Sequence, residues 1–497
     1  MTFDAILASI GNLAAIENVL ALIVGLTVGV IAGAIPGMSA AMAVALTLPF
    51  TFSLTPITGI LLLLGVYKGG IFGGSIPAIL INTPGTPASS ATVLDGYPLA
   101  QKGQASKALS MALWASCTAD FISNLALIFF AAWLASFALK FGPPEFFTLI
   151  FFSLTIIAGV SGDSLSKGVV SAILGLLFAT IGLDLVYGTD RLTFGNPNLM
   201  GGLNFIPVLI GLFAIPEILA FVLKKDISVG QTRSLSGQGI TFAEYRRCFK
   251  SIFRGSAIGV FLGAVPGIGA APSAFLAYSE ARRTSPNKAN FGKGELEGVA
   301  AAEAGNNGVA GATLIPLLAL GIPGDVITAI IIGAFMIHGL TPGPIMFFQN
   351  TDIIYTLFAG LLLSSVFLLV IGAGAIKIFK YIAHVPKTIL MPSVLVLCVY
   401  GGYAVNNSVF DVAVMFLMGG LGFAMYRFNV PPAPFVIAFI LGPLFEDNFR
   451  QAMLMSGGEM SILLRSPITW FFWIATILTL LALTGSWGRI ASLLRKG

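Results

Sequence analysis

The sequence predicts an all-α polytopic integral membrane protein with two repeats. Each repeat contains a Gly/Pro-broken re-entrant or discontinuous helix, and one further transmembrane helix follows at the C-terminus. Three observations carry this expectation. The 497 residues are 57% hydrophobic and only 9% charged, against about a quarter charged in soluble domains. Apolar runs such as "LALIFFAAWLASFAL" (Leu125 to Leu139), "LFAGLLLSSVFLLVIGAGAI" (Leu357 to Ile376) and "WFFWIATILTLLALTG" (Trp470 to Gly485) recur along the chain, and about 20 apolar residues cross a bilayer as a helix. Stretches rich in Gly and Pro interrupt this pattern at matching places in the two halves.

By that length criterion the chain holds about ten to twelve hydrophobic segments in a lipid bilayer. The first 67 residues contain no Lys or Arg, so the basic start of a cleavable signal is not expected. Basic residues then set the orientation. The polar stretch holds Lys224, Lys225, Arg233, Arg246, Arg247, Lys250 and Arg254 against only Asp226 and Glu244. By the positive-inside rule it is cytoplasmic, the N-terminus is periplasmic, and the tail with Arg489, Arg495 and Lys496 is cytoplasmic. The expected organisation is therefore a first repeat over 1–223, a basic cytoplasmic linker over 224–254, a second repeat over 255–465, and a C-terminal helix and tail over 466–497.

The repeat rests on three correspondences in the same order. "VGVIAGAIPGMSAA" (Val28 to Ala41) matches "IGVFLGAVPGIGAA" (Ile258 to Ala271), and "PAILINTPG" (Pro77 to Gly85) matches "PLLALGIPG" (Pro316 to Gly324). More weakly, residues 142–164 match residues 384–408. An N-terminus outside and a linker inside give the first repeat an odd number of crossings. The repeats are then expected to be inverted, a parallel arrangement being the alternative.

Proline lacks a backbone donor and crowds the preceding turn, while glycine reaches conformations closed to other residues, so these segments should break. Broken backbone at membrane depth survives only where protein or water satisfies it. Paired breaks of this kind mark the binding site of secondary transporters, with helix N-termini offered to an anion and freed carbonyls to a cation.

Around the first break stand Ser75, Asn82, Thr83, Gly85 and Thr86, and Ser39 lies beside the earlier Pro-Gly pair. Around the second stand Asn306, Asn307 and Gly324, with Gly267 beside its own Pro-Gly pair. Hydroxyls, amides and backbone N–H groups bind an anion without a buried arginine. Lys68 is the one obvious cation that could pair such a substrate, with snorkelling to the interface as the alternative. Hard cations take oxygen ligands, so Asn82, Thr83, Glu303, Asn307, Thr313 and Asp325 are candidates for a coupling ion, Na+ or H+. Placement at water-exposed helix ends is the plainer reading of Glu303 and Asp325, and close helix packing that of the small residues. No other cofactor is expected.

Long motifs carry a family resemblance. "GAIPGMSAAMAVALTLPFTF", "YKGGIFGGSIPAILINTPGTPASSATVLDGYPLAQKGQASKALSMA" and "FGKGELEGVAAAEAGNNGVAGATLIPLLALGIPGD" resemble the large membrane subunit of the tripartite tricarboxylate transporters, the TctA type, over roughly residues 15–451. The resemblance implies an inner-membrane carrier for citrate-like or other carboxylates, driven by a sodium or other cation gradient. It also implies two partners: a small four-helix membrane subunit of the TctB type, and a periplasmic solute-binding protein of the TctC type.

Other classes fit less well. Only His338 and His384 are present, and there is no HExxH, Gly-x-Ser-x-Gly or Walker A pattern, so an enzyme or ATPase is not expected. Cys117, Cys248 and Cys398 are isolated, without metal-site spacing. The net charge of +5 reports loop bias in a membrane protein; no nucleic acid is expected. An anion channel is the remaining alternative. The mixed-charge segment 280–298 is expected to be an exposed loop or a partner contact. Asp163 and Asp184 suit loops or helix ends better than a proton relay.

Overall fold

The computed structural model describes residues 9, 11–160, 164–184, 187–223, 238–382 and 387–484. Asp163, His384, residues 224–237 of the expected linker and the basic tail lie outside the described residues. Seven helices are long and apolar enough to cross a membrane, and five further apolar helices are shorter. Among the described residues the one departure from an all-α fold is a two-stranded hairpin, Gly182–Leu183 paired with Asp190–Arg191.

The first half opens with α1 (Ile16–Ala34), a break at Pro36-Gly37, and α2 (Ala40–Thr47). Next come α3 (Pro56–Gly73), a short α4 (Ser75–Ile81), a second break at Pro84-Gly85, and α5 (Ser89–Gln101). The long α6 (Ala105–Ala138), α7 (Pro143–Val160), α8 (Leu165–Ala179) and α9 (Phe205–Leu223) complete it. The second half has α10 (Phe242–Gly263), α11 (Ala270–Thr284), α12 (Leu296–Ala312), a short α13 (Leu314–Leu320) and α14 (Val326–Ile337). After the single turn α15 (Met346–Gln349) come α16 (Thr351–Ile382), α17 (Lys387–Ala404), α18 (Val409–Arg427) and α19 (Pro432–Met455). The extra helix α20 (Pro467–Leu483) follows.

Glycine sets the closest packing in each half. Gly25, Gly29 and Gly33 recur every four residues on α1, and Gly65, Gly69 and Gly73 do so on α3. A Cβ on Gly29 would collide with the Val66 carbonyl, and one on Gly69 with the Leu26 carbonyl. Helices associate in lipid through such small-residue stripes, which let backbones approach. Gly255, Gly259 and Gly263 of α10 meet Ala301, Gly305, Gly308 and Val309 of α12 in the same manner.

These contacts also fix direction. Position 25 faces 62, 29 faces 66 and 33 faces 70, so α1 and α3 run parallel; 255 faces 301 and 263 faces 309, so α10 and α12 do too. Across the halves the order reverses. Ser75, just past the end of α3, bonds Glu303 in the middle of α12, whereas Tyr67, within α3, meets Thr313 just past the end of α12. The first two helices of each half therefore enter from opposite faces, and Phe242 lies on the face opposite Ile16. Helix α6 runs with α12, since Ser116 meets Glu303 and Ser123 meets the Ala312 N–H. Helix α20 runs in the same direction as α7, with Phe472 on Phe152 and Leu483 on Gly159. The start of α6, where Lys107 meets Glu244, shares the face of Phe242.

On that face Thr241 and Glu244 form a capping box at the start of α10. Lys107 donates to Glu244 at 2.6 Å, and this bond with the Thr241 N–H holds the carboxyl down at about 2. The segment 280–298 is not a free loop. It folds onto α5, where the Gly294 and Glu295 N–H groups and the Tyr278 hydroxyl all donate to the buried Asp95.

Overfilling the seam should cost at least ~1–3 kcal/mol. Gly69→Leu is therefore expected to lower the thermal unfolding midpoint in detergent. Gly374→Ala, whose added Cβ meets nothing, should leave it unchanged or slightly raised.

A candidate substrate site at four helix breaks

Each break exposes the start of a helix. Ser39 caps α2, its Oγ accepting from the Met42 N–H at 3.1 Å. Helix α5 begins after Ala88 without a side-chain cap; in the turn before it the Ser89 N–H and hydroxyl both meet the Thr86 Oγ1. Gly269, at φ +70°, precedes α11 without a side chain. Asp325 caps α14, accepting from the Thr328 N–H and hydroxyl, both at 2.8 Å. Helix N-termini carry unpaired N–H groups and partial positive charge.

The breaks of one half touch each other. Gly85 folds back so that its N–H donates to the Gly74 carbonyl at 3.1 Å, and a Cβ there would strike the Gly33 carbonyl of α1. In the second half the Gly267 N–H donates to the Gly324 carbonyl at 2.7 Å, and Gly324 packs on Thr313. Both short helices end in the left-handed region, α4 at Asn82 (φ 57°) and α13 at Gly321 (φ 72°). Asparagine and glycine are the residues that tolerate it.

The two tips differ in exposure. Asn82, Thr83 and Pro84 are exposed, whereas residues 321–324 are buried. A Cβ on Gly321 would meet the Pro342 carbonyl, so the loop after α14 covers the second tip.

Beneath the breaks lies a buried polar network that crosses between halves. Glu303 is 0% exposed. Ser75 donates to its Oε1 at 2.6 Å, Thr92 donates to the same oxygen, Ser116 donates to Oε2 at 2.9 Å, and the Asn307 amide reaches Oε2 at 3.3 Å. All four donors are neutral. Tyr67 donates to Asp325 Oδ2 at 3.0 Å and lies 3.1 Å from the Thr313 hydroxyl. Next to Glu303's cage, Asn306 is buried with neither amide atom partnered.

Lys68 neither faces solvent nor reaches toward an interface. It is 1% exposed and pairs with Asp120 at 2.9 Å, with further bonds to Asn124 Oδ1 at 2.8 Å and the Leu361 carbonyl at 3.3 Å. Asn124 and Ser365 both donate to Asp120 Oδ2, and so tie α16 to the same knot.

The predicted residues therefore separate into groups. Ser75, Glu303 and Asn307 come together, as do Thr313 with Asp325 and Gly267 with Gly324. Asn82 and Thr83 stand at the exposed tip, with the Thr83 hydroxyl on the Ile81 carbonyl at 3.3 Å. Tyr67, Thr92, Ser116, Asp120, Ser123 and Asn124 belong to the network without having been singled out from sequence. The available signal was polar spacing on one face of α6, at 116, 120, 123 and 124.

A cavity of about 590 Å³ lies at the far end of α14, between it and α8, α9 and α19. Its walls are mainly apolar, including Phe178, Phe205, Met336 and Phe439. Arg191 on its rim is bonded to Glu446 at 2.6 Å, which in turn pairs with Arg450; both arginines also face Asp184. With its cations answered by carboxylates, this cavity suits a polyanion less well than the breaks do, so the breaks are the candidate site.

The family model described as "Tripartite tricarboxylate transporter TctA family" matches residues 19–437. The chain belongs to this family. It is 36% identical over 421 residues to an "Uncharacterized 52.8 kDa protein in TAR-I ttuC' 3'region" of Agrobacterium vitis, covering 84% of each chain. A second Agrobacterium vitis protein, "Uncharacterized protein in TAR-II ttuC' 3'region", is 35% identical over 210 residues, 42% of this chain and 87% of that one. No solved structure matches. The TctA family is a transporter family, so the chain is a multi-pass membrane subunit of a tripartite tricarboxylate transporter.

Removing Lys68 alone should leave Asp120 as an uncompensated buried charge. Lys68→Met is expected to destabilise by about 3–5 kcal/mol. In denaturant unfolding of the purified protein, the double variant Lys68→Met/Asp120→Leu should recover more than half of that loss.

Proposed function

We propose that the protein is the substrate-carrying subunit of a secondary importer for citrate-like tricarboxylates or related carboxylates. The carboxylate lodges among the four helix starts at the Pro-Gly breaks. The single observation that carries this reading is the reversed pairing of the broken helices. Ser75 at one break bonds Glu303 of the opposite half, while Tyr67 reaches Thr313 and Asp325 at the other break. Interrupted helices in apposed, oppositely directed halves are the arrangement in which carriers hold an ion or anion at mid-membrane.

Inverted repeats are part of the proposal, supported by the matching order of helices and the opposite directions of α3 and α12. In this reading Ile16 lies at the periplasmic face of a bacterial inner membrane, and Phe242 and Leu483 at the cytoplasmic face, where the basic residues fall. Exposed Asn82 and Thr83, with Ser39, Gly85, Thr86, Gly267, Asn306, Asn307 and Gly324, form the anion-facing set. Lys68 acts on this set through Asp120 and Asn124, which hold α3 against α6 and α16. A sodium or proton gradient drives uptake, with oxygens of Glu303, Asn307, Thr313 and Asp325 available to a coupling ion. A periplasmic solute-binding protein delivers the acid, and a small four-helix membrane subunit completes the complex.

Proteoliposomes holding the full complex distinguish this carrier from an anion channel. Labelled mono-, di- and tricarboxylates should be taken up saturably, and internal unlabelled acid should accelerate their entry. A unitary conductance without such exchange would contradict the reading. Asn82→Gly, which keeps the left-handed backbone and removes the amide, should cut uptake at least tenfold with an unchanged thermal midpoint. Asn307→Ala should impair both, because its amide also holds Glu303 and Ser116.

A further inference from the structure

The carboxylates already described are answered. Asp120 has Lys68, Glu303 has four neutral donors, Asp325 has its helix cap and Tyr67, and Asp95 has two backbone N–H groups and Tyr278. Glu217 is different. It lies inside α9, directly after Pro216, on a segment of mean hydropathy 2.4, and its Oε2 is buried without a partner. Glu217 is half-buried as a whole, and the Ser39 hydroxyl at the start of α2, which accepts from the Met42 N–H, lies beside its carboxyl.

Glu217 therefore stands where α9 meets the tip of the first Pro-Gly break. Helices α2, α14, α17, α18 and α19 pack on α9. Helices α2 and α14 carry no ionisable side chain within their bounds. Helix α17 carries Lys387, Cys398, Tyr400 and Tyr403; α18 carries Asp411, Tyr426 and Arg427; α19 carries Glu446, Asp447 and Arg450. Asp411 is held by Asn406, and Glu446 and Arg450 by the network at the hairpin.

A carboxylate with a buried, unanswered oxygen is costly to keep charged in apolar surroundings. A metal cation takes about six oxygen ligands, and one carboxyl with one hydroxyl falls far short of that. A proton requires only the carboxyl itself.

We propose that Glu217 is a proton-exchanging residue of the carrier, placed so that its charge controls the contact between α9 and the Ser39 tip. The proposal rests on the carrier reading above. A proton from water on the periplasmic side converts the carboxylate to the neutral acid, and the same proton returns to water on the cytoplasmic side as the carboxylate re-forms. In the neutral form the tip moves against α9 without dragging a bare charge through it.

Glu217→Gln mimics the neutral acid in shape. In purified protein, the infrared difference spectrum between acid and alkaline buffer should contain a carboxylic C=O band that Glu217→Gln removes. In proteoliposomes tested with the carboxylate panel above, an imposed pH gradient should drive accumulation by wild type. Glu217→Gln should lose at least tenfold of that accumulation while retaining exchange of internal for external acid. Ser39→Ala, which removes the hydroxyl beside the carboxyl, should shift the pH dependence of the band.

An unchanged band in Glu217→Gln, or wild-type accumulation by that variant under the pH gradient, would overturn the proposal. Wild-type exchange that ignores the pH gradient would overturn it and leave the carrier reading intact. Absence of exchange in wild type would remove the carrier reading itself.

Discussion

The structure depends on sealing backbone that is broken inside an apolar fold. Each Pro-Gly break frees N–H and C=O groups that hydrocarbon cannot satisfy, at several kcal/mol per group. Glycine makes the sealing possible. Where α1 meets α3 and α10 meets α12, backbones touch without intervening side chains, and the loops of the breaks fold directly onto them. Gly85 answers the Gly74 carbonyl, and Gly267 answers that of Gly324. A side chain at these positions would open a gap at the point where polar groups are hardest to satisfy.

Sealing alone would give two independent halves, and helix α6 prevents this. At about 1.5 Å per residue, its 34 residues run past both α3 and α12. One face carries Ser116 to Glu303 and Asn307, Asp120 and Asn124 to Lys68, and Ser123 to the Gly308 carbonyl and the Ala312 N–H. Ser365 and the Leu361 carbonyl bring α16 to the same knot. Buried networks of this kind favour one arrangement strongly, because a half-satisfied alternative costs more than an apolar one. A motion that exposes a bound acid to the second face is therefore expected to move α3, α12 and α6 together, and to slip at the contacts around them where fewer polar bonds cross. The α2–α9 contact beside Ser39 and Glu217 is one of these.

The breaks were legible in the sequence because glycine and proline act locally. Pro36-Gly37, Pro84-Gly85, Pro266-Gly267 and Pro323-Gly324 mark the same interruption that the helices show. The polar set at the first tip was legible for the same reason. What escaped depends on pairing across the chain. Asp120 is 52 residues from Lys68, and Ser116 is 187 from Glu303; nothing in local spacing says which polar residue of α6 answers which partner. Lys68 illustrates the consequence, since as the lone cation near the first break it suggests a substrate contact, yet its donors are taken by Asp120, Asn124 and Leu361. The segment 280–298 looked solvent-exposed from its charges, and residues 288–290, 292 and 293 are exposed, but its end is held by the Gly294 and Glu295 N–H groups on Asp95. Glu217 had no distinguishing neighbour in sequence, and only the approach of α2 places it at a break.

The central claim is that a carboxylate binds at the breaks, against the exposed tip of the first half. Its most direct test is ligand protection of that tip. In protein whose native cysteines Cys117, Cys248 and Cys398 are replaced, Thr83→Cys should react with a membrane-impermeant thiol reagent, and a transported carboxylate should slow that reaction in proportion to its occupancy. Labelling that proceeds at the same rate with and without saturating transported acid would contradict the account.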